Sequence, residues 1–383
     1  MKIVYVIDSL ASKGGAERII SEKMSYMADV YGFEVSVVTC YQNPAQQANT
    51  YDLSPSVRQV NLCIPYYSQY KYGYPLRLWK KWRLYRQLVN GLTKAVCRLD
   101  PDVLVGLGYF QADVVISIPC RAKKVVELHE ARIFTMSDNG LSRSFLSRLY
   151  MRFYKARYFR RIESRADVVV TLTHGDAEEW RRAKRLEVIP NFTMMKPERL
   201  SSVQEKRVIA VGRLEWQKGF DRLIDIWKIV SVRHPDWRLD IFGSGTLEQI
   251  LNQQIADANL CNSLVIHPFT PTISHEYVQS SVFVLPSRFE GFGLVLLEAM
   301  SYGLPCVTFD CPFGPADVVE NGVSGYVVAD GDLPIFAEYL DRLMSDIDLR
   351  QQLSQAAVLR SHRFDVVSVM AQWKALFERL ISA

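Results

Sequence analysis

Two glutamates eight positions apart in RFEGFGLVLLEAM, Glu290 and Glu298, frame a Gly-Phe-Gly turn and an aliphatic run. Two carboxylates can divide acid and base work at a glycosidic bond, or they can hold hydroxyl groups. Their surroundings decide between these. VFVLPS reads as a strand, Arg288 to Gly293 as a loop, and LVLLEAMSY as a helix ended by Gly303 and Pro305. Gly291 and Gly293 permit a sharp turn that leaves amides bare near the helix N-terminus, a ready anion site. Carboxylates repel bound phosphate, so Glu290 at the lip of the turn and Glu298 on the second helical turn suit the hydroxyls of a ribose or hexose. Glycosidase chemistry is set aside, because Glu298 lies within a helix behind a phosphate-type loop.

Other loops carry complementary groups. VGRLEWQKGFD places Arg213 and Lys218 five apart between a strand and a helix. Arg can clamp a diphosphate bidentately and Lys can serve it as a mobile point charge, although the same pair also reads as solvated loop charges. In IFGSGTLEQI the third glycine of a dinucleotide fingerprint is replaced by Glu248. Gly243 and Gly245 then say only that a backbone or a ligand approaches closely, and a nicotinamide oxidoreductase is disfavoured. Asp100-Pro-Asp102 reads as turn chemistry, and no His/Cys cluster has metal spacing. No metal or other cofactor is therefore expected. Leaving-group charge falls to Arg213, Lys218 and helix N-terminal amides.

Repeated strand-helix units position these loops. KIVYVI, FEVSVVTC, DVLVGLG, KKVVELHE and ADVVVTLT are short apolar runs alternating with helix-like segments, as in strands buried on both faces of a parallel sheet. The pattern lapses over residues 190–206, a candidate hinge. It resumes with RVIAVGRL, WRLDIFGSG, SLVIHPF, VFVLPS, PCVTFD and SGYVVAD. With 383 residues, the chain reads as α/β, two doubly wound Rossmann-like domains in tandem.

These segments resemble family 4 of the retaining glycosyltransferases. EGFGLVLLEAMSYGLPCV is similar to that family's E-x7-E element and VGRLEWQKGFDRLI to its phosphate-binding segment. The close of CPFGPADVVENGVSGYVV is similar to its NGxxGxLV ending, and SLASKGGAERII to its N-terminal glycine loop. The resemblance implies a GT-B fold, with two Rossmann-like domains facing each other across a cleft. Residues 1–190 would bind acceptor, residues 191–364 would bind the nucleotide-sugar, and a last helix, residues 365–383, would cross back to the first domain. It implies that Arg213 and Lys218 neutralise the leaving diphosphate, Glu290 contacts the transferred sugar and Glu298 the ribose. Gly14 and Gly15 would let the first domain close on diphosphate and acceptor. Gly15, Gly243, Gly245, Phe292, Gly293 and Leu294 would line the donor. His129, in VVELHE, stands where the family has a histidine facing the sugar, although a lone histidine is also often structural. The implied reaction is metal-independent, retaining transfer of a hexose or N-acetylhexosamine from a UDP- or GDP-sugar, a substrate rather than a cofactor. The acceptor would be a saccharide, lipid-linked, in capsule, O-antigen or lipopolysaccharide assembly. A GT-B sugar-nucleotide epimerase and a two-lobed sugar-binding protein are the alternatives.

Charge adds an expectation about location. Residues 1–190 hold 29 Lys and Arg against 18 Asp and Glu, a balance of +11, whereas the remainder holds 17 against 23, a balance of −6. Residues 77–98 carry seven basic residues and no acid; residues 141–165 carry eight and one acid, Glu163. In the latter, Phe145, Leu149 and Phe153 recur every four positions among Arg148, Arg152 and Arg157. Such basic, aromatic-bearing helices suit an anionic membrane surface, or else pack their apolar face on the sheet with the arginines solvated. Nothing matches a nucleic-acid recognition element, so no nucleic acid is expected. The scattered cysteines, the absence of any apolar run long enough to span a bilayer and an opening that reads as a strand suggest a cytosolic enzyme at the inner membrane face.

Overall fold

A computed structural model describes residues 1–12, 14–73, 75–129, 131–132 and 145–382. The chain divides into two units, Met1–Ile189 together with Met370–Ala383, and Pro190–Val369. Among the described residues the first holds seven strands: β1 Lys2–Ile7, β2 Glu34–Thr39, β3 Arg58–Asn61, β4 Val103–Leu107, β5 Lys123–Glu127, β6 Val168–Thr171 and β7 Leu186–Val188. They pair in parallel in the order β3-β2-β1-β4-β5-β6-β7. The second holds β8 Arg207–Val211, β9 Arg238–Phe242, β10 Leu264–His267, β11 Val282–Leu285, β12 Cys306–Asp310 and β13 Gly325–Ala329, ordered β10-β9-β8-β11-β12-β13. These are also parallel throughout.

Both sheets reverse winding direction once, between β1 and β4 and between β8 and β11. Ligands of open α/β sheets settle beyond the strand carboxyl ends at such switch points. The central strands are buried along nearly their whole length, as their unbroken apolar runs require. The edge strands β3 and β7 escaped the sequence reading for the opposite reason. RQVN and LEV are short and only partly buried, so they carry no apolar run.

The helices show the matching periodicity. The Leu76–Leu99 helix buries Leu84, Leu88, Leu92, Val96 and Leu99, one stripe at helical spacing, against Val4, Val6 and Val38 of the sheet. The Phe220–Val230 helix buries Phe220, Leu223, Ile224, Ile226, Trp227 and Val230 beneath β8 and β9. Asp100 ends the first of these in a left-handed conformation and Asp102 accepts a bond from the Lys2 amide at 2.8 Å, the turn chemistry expected of Asp-Pro-Asp. Within the second unit, Thr193 and Asp365 pair as an isolated parallel bridge. The Val366–Ser382 helix follows, and its residues from Met370 onward belong to the first unit.

Candidate active site

In the second unit the loops leaving β8 and β11, neighbours at the switch point, are joined by side chains. Lys218 Nζ donates to Glu290 Oε1 at 2.7 Å, and Ser287 Oγ donates to the same oxygen at 2.6 Å. Arg288 reaches back to Asp221 with both terminal nitrogens, at 2.8 and 2.5 Å, and donates to the Trp216 carbonyl at 2.8 Å. Gln217 links the two functional arms: its amide nitrogen donates to the Phe289 carbonyl at 3.1 Å, and its oxygen accepts from Arg213 Nη2 at 3.1 Å. Arg213 itself is exposed. Two cations thus stand on one short loop, Arg213 open to solvent and Lys218 held against a carboxylate. Ser287, Gln217, Asp221 and Arg288 were not singled out from sequence. Only the pairing of two distant loops reveals them.

The glycines have a definite role here. A Cβ on Gly243 would lie 1.9 Å from the Gly212 carbonyl oxygen, and one on Gly245 would lie 2.5 Å from that of Leu214. What approaches them is therefore the backbone of the β8 loop, which Leu214 N ties to Ser244 O at 3.0 Å. Glu215 completes the latch by accepting from the Thr246 amide at 3.0 Å and its hydroxyl at 2.8 Å, bonds that hold its carboxyl below its usual range. Gly293, at φ 87°, caps the Leu294–Ser301 helix in a left-handed conformation, as the expected sharp turn requires. Leu294 is half-buried at its first position. Phe292 is buried and packs edge-on against Phe364, with ring centres 5.7 Å apart, so its side chain supports the loop from beneath. Glu298 is buried too, on the helical turn expected, and its Oε2 accepts from the Tyr277 hydroxyl at 3.4 Å.

In the first unit, Gly14 is the N-cap of the Gly15–Asp29 helix after β1, and a Cβ there would strike the Glu17 carboxylate. The same helix turns Lys23 into the interior, on the stripe of Ile19, Ile20, Met24 and Met27. There Lys23 Nζ bonds both carboxylate oxygens of Glu127, the last residue of β5. His129 Nε2 stands 2.9 Å from Glu127 Oε1. Burial pushes the Glu127 carboxyl up, but Lys23 and His129 outweigh it and hold the group at about 2. Burial lowers Lys23. Trp373 of the last helix lies with its ring 3.9 Å below the ammonium. Lys23 and Glu127 were also missed, although a signal existed: each is a charge at an inward position of an apolar stripe.

The basic surface is partly in view. Trp79 and Trp82 of the Leu76–Leu99 helix are about half exposed, interleaved with Lys80, Arg83 and Arg86 at cation–π distances of 4.8 to 5.6 Å. In the Phe145–Arg165 helix, Phe153 is exposed while Phe159 and Ile162 face the core. The side chains of Phe145, Arg148, Leu149 and Arg152 lie outside the described residues. Among the described residues no helix is long and apolar enough to cross a membrane, and no group of three His, Cys, Asp or Glu side chains is arranged to hold a metal.

Two doubly wound parallel sheets, with a cation-bearing loop meeting a carboxylate-bearing loop at a switch point in the second, define the architecture of the GT-B class. Residues 13–193 match the family model described as Glycosyltransferase Family 4, and residues 192–360 match that described as Glycosyl transferases group 1. The chain belongs to family 4 of the glycosyltransferases, and it is a glycosyltransferase. The amylovoran biosynthesis glycosyltransferase AmsD of Erwinia amylovora is 28% identical over 97% of this chain and 98% of its own. A sucrose-phosphate synthase from Thermosynechococcus elongatus shares the fold at a TM-score of 0.82 and 18% identity, over the full length of both chains. Alr3699/HepE of Anabaena, solved with UDP and glucose, does so at a TM-score of 0.72 and 19% identity, over 99% of this chain and 100% of its own.

Proposed function

We propose that this chain is a retaining glycosyltransferase that moves a hexose or N-acetylhexosamine from a UDP- or GDP-sugar to a saccharide acceptor, lipid-linked, in the assembly of a bacterial surface glycan. The contact that carries this reading is Lys218 Nζ to Glu290 Oε1, 2.7 Å, at the carboxyl ends of β8 and β11. A carboxylate alone would repel the donor's diphosphate. With Lys218 between them, the ammonium faces phosphate with its remaining donors while Glu290 accepts sugar hydroxyls. Arg213, exposed beside it, adds a second positive charge to the leaving group. Glu298, already accepting from a tyrosine hydroxyl, holds the ribose. Gly293 and Leu294 offer the donor backbone amides at the helix start. Gly14 and Gly15 serve the diphosphate and acceptor from the first unit, and His129 serves the sugar.

The bond from the anomeric carbon to the diphosphate breaks as a bond to the acceptor oxygen forms on the same face. The acceptor's proton passes to the departing phosphate oxygen, so configuration is retained. Positive charge from Arg213, Lys218 and helix amides stabilises the leaving group, so no metal ion is required. The full-length likeness to AmsD, named for amylovoran biosynthesis, supports a glycan acceptor, and the UDP and glucose held by Alr3699/HepE support a UDP-sugar among the donors.

A thermal-shift screen of nucleotide-sugars finds the donor by its stabilisation. Transfer to added acceptor, with the anomer of the product read by NMR and the rate compared with and without EDTA, then tests the rest. Conversion of the donor without acceptor, an inverted product or loss of activity in EDTA each refutes a stated part. The basic, tryptophan-bearing surface of residues 76–86 supports docking to anionic lipid, each basic residue there contributing ~1 kcal/mol. Sedimentation with anionic but not neutral vesicles is expected, and equal absence from both contradicts it.

A further inference from the structure

Lys23, Glu127 and His129 form a second constellation, deeper than the first. The Lys23 and Glu127 side chains are 1% and 2% exposed, and that of His129 is 8%. Stability alone is a poor reason for such a pair, since apolar residues of the same volume often serve a core as well or better. The geometry points elsewhere. Lys23 occupies both oxygens of Glu127, and the imidazole Nε2 lies 2.9 Å from one of them. An ionised carboxylate only accepts, so the proton of a neutral imidazole must sit on Nε2. Nδ1 then carries a bare lone pair. That atom is buried and has no partner among the described residues. A buried acceptor left unmet is costly, and a ligand's hydroxyl donor would offset that cost.

Resting on the reading of His129 as a sugar-facing residue, we infer that Lys23 and Glu127 are positioning residues that lock His129 in the Nε2–H tautomer, so that Nδ1 accepts a hydrogen bond from a hydroxyl of the bound sugar. Lys23 has a distinct part in this. A carboxylate beside a histidine with no other counter-charge favours the imidazolium, whose Nδ1 donates and would present the sugar with a second proton. Lys23 already balances Glu127, so the ring need not be charged. Trp373, 3.9 Å from the ammonium, and Tyr5, at 5.2 Å, close this balance off from water. Among the described residues, Glu127 on β5 meets the ring directly, and Lys23 on the Gly15–Asp29 helix and Tyr5 on β1 stand behind it. On the loop beyond it, Arg132 donates its amide to Asp176 at 2.8 Å.

Ring nitrogen and carbon shifts of labelled protein test the inference without reference to turnover. His129 is assigned among the six histidines by its absence in His129→Asn. In the wild type the neutral ring is expected to carry its proton on Nε2. In Lys23→Met the ring nitrogen shifts should move away from the Nε2–H pattern, and the acidic limb of the kcat/KM profile should move with them. Lys23→Met/Glu127→Gln removes both charges and should return ring and limb to their wild-type positions, and it reports even if the single variant fails to fold. A wild-type ring protonated on Nδ1, or a Lys23→Met ring and limb identical to wild type, overturns the relay. Full activity in His129→Asn overturns the sugar-facing reading on which it rests, an outcome that the ring spectrum distinguishes.

Discussion

The chain contains two lysine–glutamate pairs that look alike on paper and differ in depth. Lys218 and Glu290, 13% and 7% exposed, join two loops at the carboxyl ends of β8 and β11. Lys23 and Glu127, at 1% and 2%, join a helix to a strand beneath the tryptophan of the last helix. The first is the shallower pair, and the proposed function has a ligand share its charges. The second is sealed deeper, and among the described residues its carboxylate also meets the imidazole of His129. An ion pair at a loop lip can exchange partners during a reaction, whereas one sealed in a core can only hold a third group in place. In the proposed function, depth decides whether the same two side chains act on a substrate or on a neighbour.

The comparison breaks most visibly in activity. If the proposed function holds, Glu290→Gln lowers turnover by about 10²–10³ while the circular dichroism spectrum and Tm stay near wild type. Wild-type turnover would remove Glu290 from the site.

Stability should rank the pairs in the opposite order. Lys23→Met strands a carboxylate in the core and should cost about 3–5 kcal/mol in chemical denaturation. Lys218→Met leaves Glu290 with Ser287 and nearby solvent, so about 1–2 kcal/mol is expected. Equal losses would erase the distinction drawn between them.

Acid should find the deep pair. Glu127 is held at about 2 against an ordinary 4.5, so the unfolded chain binds its proton first. The stability it supplies is complete above about 4.5 and is lost as pH falls through about 2. Glu127→Gln should flatten the fall in Tm across that window. Asp8, beyond β1, has the reverse sign: burial raises it to about 6 from 3.8, only partly countered by the Tyr67 and Tyr41 hydroxyls. Its contribution is complete below about 3.8 and lost as pH rises through about 6. Asp8→Asn should therefore gain about 1 kcal/mol at pH 8 and nothing below pH 4, the smallest of these effects.

Much of this was legible in the residues. Apolar runs of five or six bounded by turn residues marked every central strand, because a strand covered on both faces has no polar side to show. RQVN and LEV were not legible, because an edge strand is only half covered and needs no such run. Glu290, Arg213 and Lys218 stood out as charges in short strand-to-helix loops, and Glu298 as a carboxylate on an otherwise apolar helix. Gly243 and Gly245 were visible as points of close approach, but the approaching group, the β8 loop backbone, became known only from the fold.

By itself the sequence determined the class of fold, the family and the identity of the loops that bear charge, since strand burial and loop chemistry are written locally in short windows. Tertiary structure alone decided which charges meet. Lys218 and Glu290 are 72 positions apart, and Lys23 and Glu127 are 104 apart. No window contains both members of either pair. Strand order brings β8 beside β11, and the packing of the Gly15–Asp29 helix lets Lys23 reach Glu127 at the end of β5. Together they make one pair a candidate for chemistry and the other the support of a histidine.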